Sequence, residues 1–416
     1  MFQYLQGLLH CEQADLTALA AQYGTPAYIY SKSAILQHWN EYQQALHGIP
    51  HRVCFAVKAN SNLAVLATLA RAGAGFDIVS GGELYRVLKA GGDPASVVFS
   101  GVGKTAAEIA FALDQGIHSF NCESETEIAL ISQIAASQQR KASIALRVNP
   151  DVDAKTHPYI STGLREHKFG VDIAGAEEIY RRAANLPGVV AEGVSCHIGS
   201  QLLELDPLLE AADKTLALVG RLRAAGLPIR FLDLGGGLGV QYRPNERNAS
   251  IAEFAARLRP KLESLNLTLM LEPGRSVVAE AGILLTRVLL IKQNGAKTFV
   301  VVDGAMNDLL RPALYQAHHE ITPVLEMPAD LNMTADVVGP VCETGDFFAR
   351  DRRLPALKPG DLIALRMAGA YGFVLSSNYN SRPRPCELLV DGRRVFVARA
   401  RETFEDLTRG ESLPWA

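Results

Sequence analysis

Val53-Cys54-Phe55-Ala56-Val57-Lys58-Ala59-Asn60-Ser61-Asn62-Leu63-Ala64-Val65-Leu66 starts as an apolar run of strand length. The run ends directly on Lys58, turns through small polar residues and enters a helical pattern. A strand that passes at once into a helix is half of a βα unit, and here the unit recurs. Between Arg52 and Arg275, strand-like runs fall at residues 53–57, 76–79, 97–99, 118–120, 143–148, 189–196, 230–234 and 268–271. Helical patterns such as 83–90, 125–136, 208–224 and 251–262 lie between them. Strict alternation of this kind argues for a parallel sheet, and eight units argue for a closed (β/α)8 barrel of the TIM type.

The unusual residues sit where these strands end. Lys58 follows the first, and Asp77, Ser80 and Glu83 lie in or just after the second. Arg147 and Asn149 close the fifth, His197 the sixth, Gly235-Gly236-Gly237 follow the seventh and Glu272 the eighth. Barrel enzymes build their sites at these C-terminal ends and commonly bind phosphate after strands seven and eight. Glycines there let backbone N–H groups approach phosphate oxygens. A lysine with apolar neighbours is pushed towards the free amine, the form an imine-forming lysine needs. Singly, each signal has a plain structural reading. Lys58 could cap a strand and snorkel to solvent, the glycines could be a tight turn, and His197 could be a satisfied core histidine. Their joint placement is what points to a site.

Composition narrows the class. The chain has 416 residues, 48% hydrophobic and 20% charged, enough for a barrel of about 250 residues and a smaller second unit. A net charge of -3 gives no reason to expect nucleic acid or an anionic membrane as partner. No apolar stretch approaches the ~18 residues of a membrane span, and Met1-Phe2-Gln3-Tyr4 does not open a signal peptide, so the cytoplasm is the expected location. The six cysteines are scattered, without zinc-ligand spacing or a disulfide framework, so no metal is expected. Cys54 and Cys196 fall in strand-like runs, as small buried hydrophobes do.

After Arg275 the pattern changes. Residues 282–292, 298–303, 336–339, 362–367 and 387–390 read as strands, separated by turns such as Lys358-Pro359-Gly360-Asp361 and Asp391-Gly392. The expected division is a barrel over 32–275 and a β-rich domain, barrel- or sandwich-like, over 276–416, joined by the segment 1–31. The extended stretch Pro26-Ala27-Tyr28-Ile29-Tyr30 is expected to pair with the β-rich part. His318-His319 are expected on a solvated helix face.

Five ordered motifs carry a family resemblance. They are Ala56-Val57-Lys58-Ala59-Asn60, Gly75-Phe76-Asp77-Ile78-Val79-Ser80-Gly81-Gly82-Glu83, His197-Ile198-Gly199-Ser200-Gln201, Glu272-Pro273-Gly274-Arg275 and Gly339-Pro340-Val341-Cys342-Glu343-Thr344-Gly345-Asp346. With them the chain resembles the alanine-racemase-fold (type III) pyridoxal phosphate decarboxylases, and among these the branch acting on meso-2,6-diaminopimelate to give L-lysine and CO2. The resemblance runs from about residue 24 to residue 413. It implies that Lys58 holds the pyridoxal 5'-phosphate through its amine, His197 stacks on the pyridine ring, and Glu272 keeps the ring nitrogen protonated. A protonated ring is a strong electron sink, which favours decarboxylation, whereas an arginine in place of Glu272 would suit racemisation.

The same resemblance gives the phosphate to Ser200, Gly235, Gly236 and Gly237, with help from Glu272, Pro273, Gly274 and Arg275, and adds Asp77 and Tyr371 to the cofactor site. Cys342 becomes the proton donor to the α-carbon; a thiol with a reference pKa of ~8.5 is mostly protonated at neutral pH. Arg275, Arg311, Tyr315, Glu343 and Tyr371 become the substrate contacts, with Arg311 suited to the distal carboxylate because a guanidinium grips it bidentately. The implied assembly is a head-to-tail homodimer with composite active sites. Two alternatives remain open: a same-fold decarboxylase of another basic amino acid or a natural-product intermediate, and a non-catalytic regulator. A regulator should have lost Lys58 or Cys342, and both are present.

Overall fold

Eight parallel strands close on themselves in the computed structural model, which describes every residue except 154–167, 247–248, 264, 329–331 and 416. In chain order they are His51–Ala56, Gly75–Ile78, Val97–Phe99, Ser119–Cys122, Ala142–Asn149, Val189–Ser195, Phe231–Asp233 and Thr268–Leu271. Each pairs with the next, and the eighth returns to the first through Leu269↔His51, Met270↔Arg52 and Leu271↔Val53. The result is the TIM-type barrel expected from the alternating pattern. The fourth strand lies slightly later than expected, because Asn121 and Cys122 continue the ladder against Ala145 and Leu146.

Local chemistry starts the first four barrel helices close behind their strands. Asn62 accepts from the Ala64 N–H to cap Leu63–Arg71, and Ser80 accepts from the Glu83 N–H to cap Gly81–Lys89. Thr105 and Glu108 form a reciprocal capping box at Ala106–Gln115, and Ser124 caps Glu125–Ser137. Satisfying these first-turn N–H groups fixes the helix starts at the same barrel end where the strands stop. Inside the barrel, Cys54, Val98, Ala145, Phe231 and Met270 form one buried cluster. Phe231 fills space that Gly193 leaves open; a Cβ on residue 193 would run into its ring. Burying such a ring stabilises the fold by roughly 1.5–3 kcal/mol.

The chain divides into two compact units: the barrel unit, Leu36–Gln241 with Glu246–Val277, and a second made of Met1–Ile35, Tyr242–Asn245 and Val278–Ala416. The second unit is β-rich. Its larger sheet runs Phe347–Leu354, Met333–Val338, Lys297–Val302, Gly282–Asn294, Ala27–Ser31, Cys386–Asp391, Arg394–Arg399. Ala27–Ser31 is the extended stretch read from sequence. It pairs antiparallel with Gly282–Asn294 and parallel with Cys386–Asp391. The strand Phe347–Leu354 was not anticipated. It carries Arg350-Asp351-Arg352-Arg353, and bulges in its pairing with Met333–Val338 break the two-residue alternation. The short N-terminal strands Phe2–Leu5, Leu8–Cys11 and Ala14–Asp15 were also missed. His318 and His319 lie beyond the helix Arg311–Tyr315, which ends at Gln316 in a left-handed conformation, and His319 is fully buried. The expectation of a solvated helix face fails because the chain turns inward there. Among the described residues no helix is long and apolar enough to cross a membrane.

Candidate active site

Lys58 stands in a single 3-10 turn, Val57–Ala59, immediately after the first barrel strand. Gly274 holds this turn against the end of the eighth strand: a Cβ there would sit 2.9 Å from Ala59 Cβ, and the Pro273 carbonyl accepts from the Ala56 N–H at 3.0 Å. The Lys58 Nζ donates to Asp77 Oδ2 at 3.0 Å, and its side chain is 37% exposed. The flanking Val57 and Ala59 are buried, as the sequence suggests, but the amine also meets Asp77, a fully buried carboxylate that the sequence reading did not pair with it.

Asp77, Asp233 and Glu272 bring three buried carboxylates to the ends of the second, seventh and eighth strands. Asn121 Nδ2 donates to Asp233 Oδ2 at 2.8 Å and to Glu272 Oε1 at 3.0 Å, and Ser100 Oγ donates to the same Glu272 oxygen at 3.3 Å. Burial raises the Glu272 pKa well above the usual carboxylate range, and the Asp233 and Asp77 charges push it further. Burial also raises Asp233. Two buried acceptors here, Asp77 Oδ1 and Asn121 Oδ1, have no hydrogen-bond partner among the described residues. Ser100, Asn121 and Asp233 were not singled out from the sequence. The signal was present, since each is a polar residue at the end of an apolar strand. Ser80 and Glu83, which were noted, build the start of the helix Gly81–Lys89: Glu83 accepts from the Val79 N–H at 2.8 Å, and burial, with Asp77 adding, raises its pKa to about 7.

Donor groups gather after the sixth, seventh and eighth strands. The loop after His197 is zipped to the glycine turn by Leu202 N–H to Gly237 O (2.9 Å), Gly239 N–H to Leu202 O (2.8 Å) and Gln201 Nε2 to Val240 O (2.6 Å). A Cβ on residue 237 would lie 2.5 Å from the Gly199 carbonyl, and one on residue 236 would strike the Glu272 carbonyl. Close backbone packing thus demands these glycines, independently of any ligand. Arg275 Nη2 donates to Ser200 Oγ at 3.0 Å. His197 is partly exposed, and desolvation followed by the Arg147 and Lys58 charges holds its pKa well below the usual value, so the ring is neutral. Arg147 pairs with buried Glu123 at 2.9 Å and donates to the His197 carbonyl at 3.2 Å, fixing that strand end.

This mouth suits pyridoxal phosphate. A cluster of three carboxylates with orphaned acceptors calls for a cationic N–H donor such as a protonated pyridine ring. The Ser200 hydroxyl, the Arg275 guanidinium and the glycine turn form a donor set for a phosphate dianion. His197 offers a neutral aromatic ring and Lys58 an amine.

The remaining residues read from sequence lie in the second unit. Arg311 opens the helix Arg311–Tyr315 and is 5% exposed, whereas Tyr315 is half-buried. Cys342 is the one exposed cysteine; the other five are buried. Its loop is tied by Asp346, whose carboxylate accepts from the Val341 and Met306 N–H groups, both at 2.7 Å. The Cys342 N–H donates to Asn380 Oδ1 at 3.0 Å, and Tyr379 Oη donates to Glu343 Oε2 at 2.7 Å. Ala313, Gln316, Glu343 and Thr344 share the lining of one cavity of about 760 Å³, so helix and loop face a common space. Tyr371 adopts a left-handed φ of 54°, rare for a bulky residue.

Residues 32–279 match the family model described as pyridoxal-dependent decarboxylase, pyridoxal binding domain. The chain is 55% identical over 412 residues to the diaminopimelate decarboxylase of Pseudomonas aeruginosa, covering 99% of each. It is similar to the crystal structure of diaminopimelate decarboxylase from Helicobacter pylori complexed with L-lysine, with TM-score 0.91, 46% identity, and 95% of this chain and 98% of that one covered. A second such enzyme, from M. jannaschi, superposes with TM-score 0.94 at 37% identity, covering 99% and 98%. The chain belongs to the diaminopimelate decarboxylase family of pyridoxal-dependent decarboxylases.

Proposed function

We infer that this chain converts meso-2,6-diaminopimelate to L-lysine and CO2, the last step of lysine biosynthesis, with pyridoxal phosphate as cofactor. The observation that carries this reading is the buried Glu272, held by Asn121 and Ser100 beside Asp233. When bound, the cofactor supplies a cationic ring that accepts the electron pair left on the α-carbon as CO2 departs. Glu272 holds the proton at the ring nitrogen, and the Asn121 and Ser100 donors fix its carboxylate. Asp77 orients the Lys58 amine, which would hold the cofactor. His197 would pack on the ring face. Ser200, Gly235, Gly236, Gly237 and the turn Pro273-Gly274-Arg275 bind the phosphate. Cys342 delivers a proton to the α-carbon.

Substrate choice falls to Arg311, which grips the distal carboxylate, with Arg275, Tyr315, Glu343 and Tyr371 around the rest of the second amino-acid centre. A diamino acid without that carboxylate has no use for Arg311. The relative solved with L-lysine supports this reading, because lysine keeps the distal amino-acid centre. We propose further that the enzyme acts in the cytoplasm as a homodimer in which Cys342 and Glu343 of each subunit complete the barrel site of the other. The test is direct: purified protein loaded with pyridoxal phosphate and given meso-diaminopimelate should release L-lysine and CO2 in equal amounts. Faster turnover of ornithine or arginine would overturn the assignment.

A further inference from the structure

Arg311 does not stand alone in the second unit. Its guanidinium carbon lies 4.5 Å from the centroid of the Tyr242 ring, and its Nη1 lies 3.0 Å from His319 Nε2. The other ring nitrogen of His319, Nδ1, lies 2.7 Å from the Arg366 carbonyl. A carbonyl only accepts, so Nδ1 carries the hydrogen; a guanidinium only donates, so Nε2 is the acceptor. The imidazole is thereby neutral and locked in one tautomer, since a second proton would face the Arg311 N–H directly. His319 is fully buried, its carbonyl accepts from Arg352 Nη1 at 3.0 Å, and the Tyr242 ring meets it edge-on at 5.8 Å. A backbone carbonyl, an imidazole and an aromatic face together set where the guanidinium stands.

We propose that His319 and Tyr242 are positioning residues for Arg311. They hold its guanidinium ready for the distal carboxylate of the substrate, and so contribute to the preference for a substrate with a second carboxylate over a plain diamino acid. This rests on the reading of Arg311 given above. A pre-set guanidinium loses less rotamer freedom on binding, and a cation over an aromatic face keeps its plane.

The test compares His319→Leu, His319→Gln, Tyr242→Leu, Arg311→Ala and the double variant H319L/R311A as holoenzymes. The readouts are KM and kcat for meso-diaminopimelate and the inhibition constant of L-lysine, which retains the gripped carboxylate. His319→Leu should raise KM and the lysine constant about tenfold with kcat held within about twofold, a loss of ground-state binding. His319→Gln, which returns an acceptor oxygen near the Nε2 position, should recover most of that loss. The double variant should be no worse than Arg311→Ala alone, since the two act through one contact. If Arg311→Ala weakens both constants but His319→Leu moves neither, the positioning role is wrong and the reading of Arg311 stands. If Arg311→Ala moves neither, both fall. Should His319→Leu fail to fold, Tyr242→Leu decides by the same readouts, and unchanged constants there overturn the proposal.

Discussion

Replacing Glu272 by glutamine keeps the length and shape of the side chain, leaves an oxygen for Asn121 and Ser100, and removes one of three buried carboxylates. The Asp233 and Glu272 oxygens lie 2.8 and 3.0 Å from one nitrogen, Asn121 Nδ2, so the sum of the two, 5.8 Å, is the most that can separate them. Two unit charges at that separation repel by roughly 3 kcal/mol at an effective dielectric of ~20. In the folded cofactor-free protein Glu272 therefore holds its proton to higher pH than in the unfolded chain. The sign follows from linkage. Its contribution to stability is complete below the unfolded value of ~4.3 and is lost as pH rises through the folded value. Glu272→Gln removes that loss, so the cofactor-free variant should gain stability over wild type at pH 8, by roughly 3 kcal/mol, with the gap closing towards pH 4. The loaded enzyme moves the other way. Without the anion the ring nitrogen should lose its proton, and the loss of a charge-assisted bond of roughly 1.5–3 kcal/mol would correspond to a fall of about tenfold to a hundredfold in kcat. Cofactor affinity should largely survive, since Lys58 and the phosphate donors are untouched. Thermal unfolding of the cofactor-free proteins at the two pH values, CO2 release and a cofactor absorbance titration read all three. Near-normal turnover would show that the wrong residue faces the ring nitrogen, and a variant less stable than wild type at pH 8 would refute the repulsion.

Arg311→Ala should lower kcat/KM for meso-diaminopimelate about tenfold to a hundredfold, the worth of a charge-assisted bond of roughly 1.5–3 kcal/mol, as steady-state kinetics will read. Cys342→Ala should lose about 10²–10⁴ in rate. Mixed with inactive Lys58→Ala and allowed to exchange subunits, it should regain about a quarter of wild-type activity, because half of randomly paired dimers carry one intact composite site. No recovery despite measured exchange would place Cys342 in its own chain's barrel or remove it as donor. Gly193→Ala should cost roughly 1–3 kcal/mol in denaturant unfolding, because the added Cβ overpacks the Phe231 ring inside the barrel.

The barrel was legible because its strands are short apolar runs regularly spaced by amphipathic helices, and because residues that break the apolar rule stand at strand ends. Lys58, His197 and Glu272 were found that way, and Asn121 and Asp233 carry the same mark. They escaped notice because one polar residue in a three- or four-residue strand looks like a strand boundary. The glycine turn was legible for only half of its cause. A phosphate loop was read, whereas the packing of Gly236 on the Glu272 carbonyl and of Gly237 on the Gly199 carbonyl depends on contacts distant in sequence. Strand Phe347–Leu354 hid behind its arginines and bulges. His319 was misread because nothing local shows that the chain turns inward after Gln316, where Arg366 from another strand end supplies its acceptor.

The central claim is that Lys58, at the end of the first barrel strand and beside Asp77, is the residue on which pyridoxal phosphate is carried. Borohydride reduction of the cofactor-loaded protein, followed by proteolysis and mass spectrometry, tests it most directly. The cofactor should be fixed to the peptide containing Lys58 at one per chain, and Lys58→Ala should show neither the label nor turnover. A label on any other lysine, or full activity in Lys58→Ala, would contradict it.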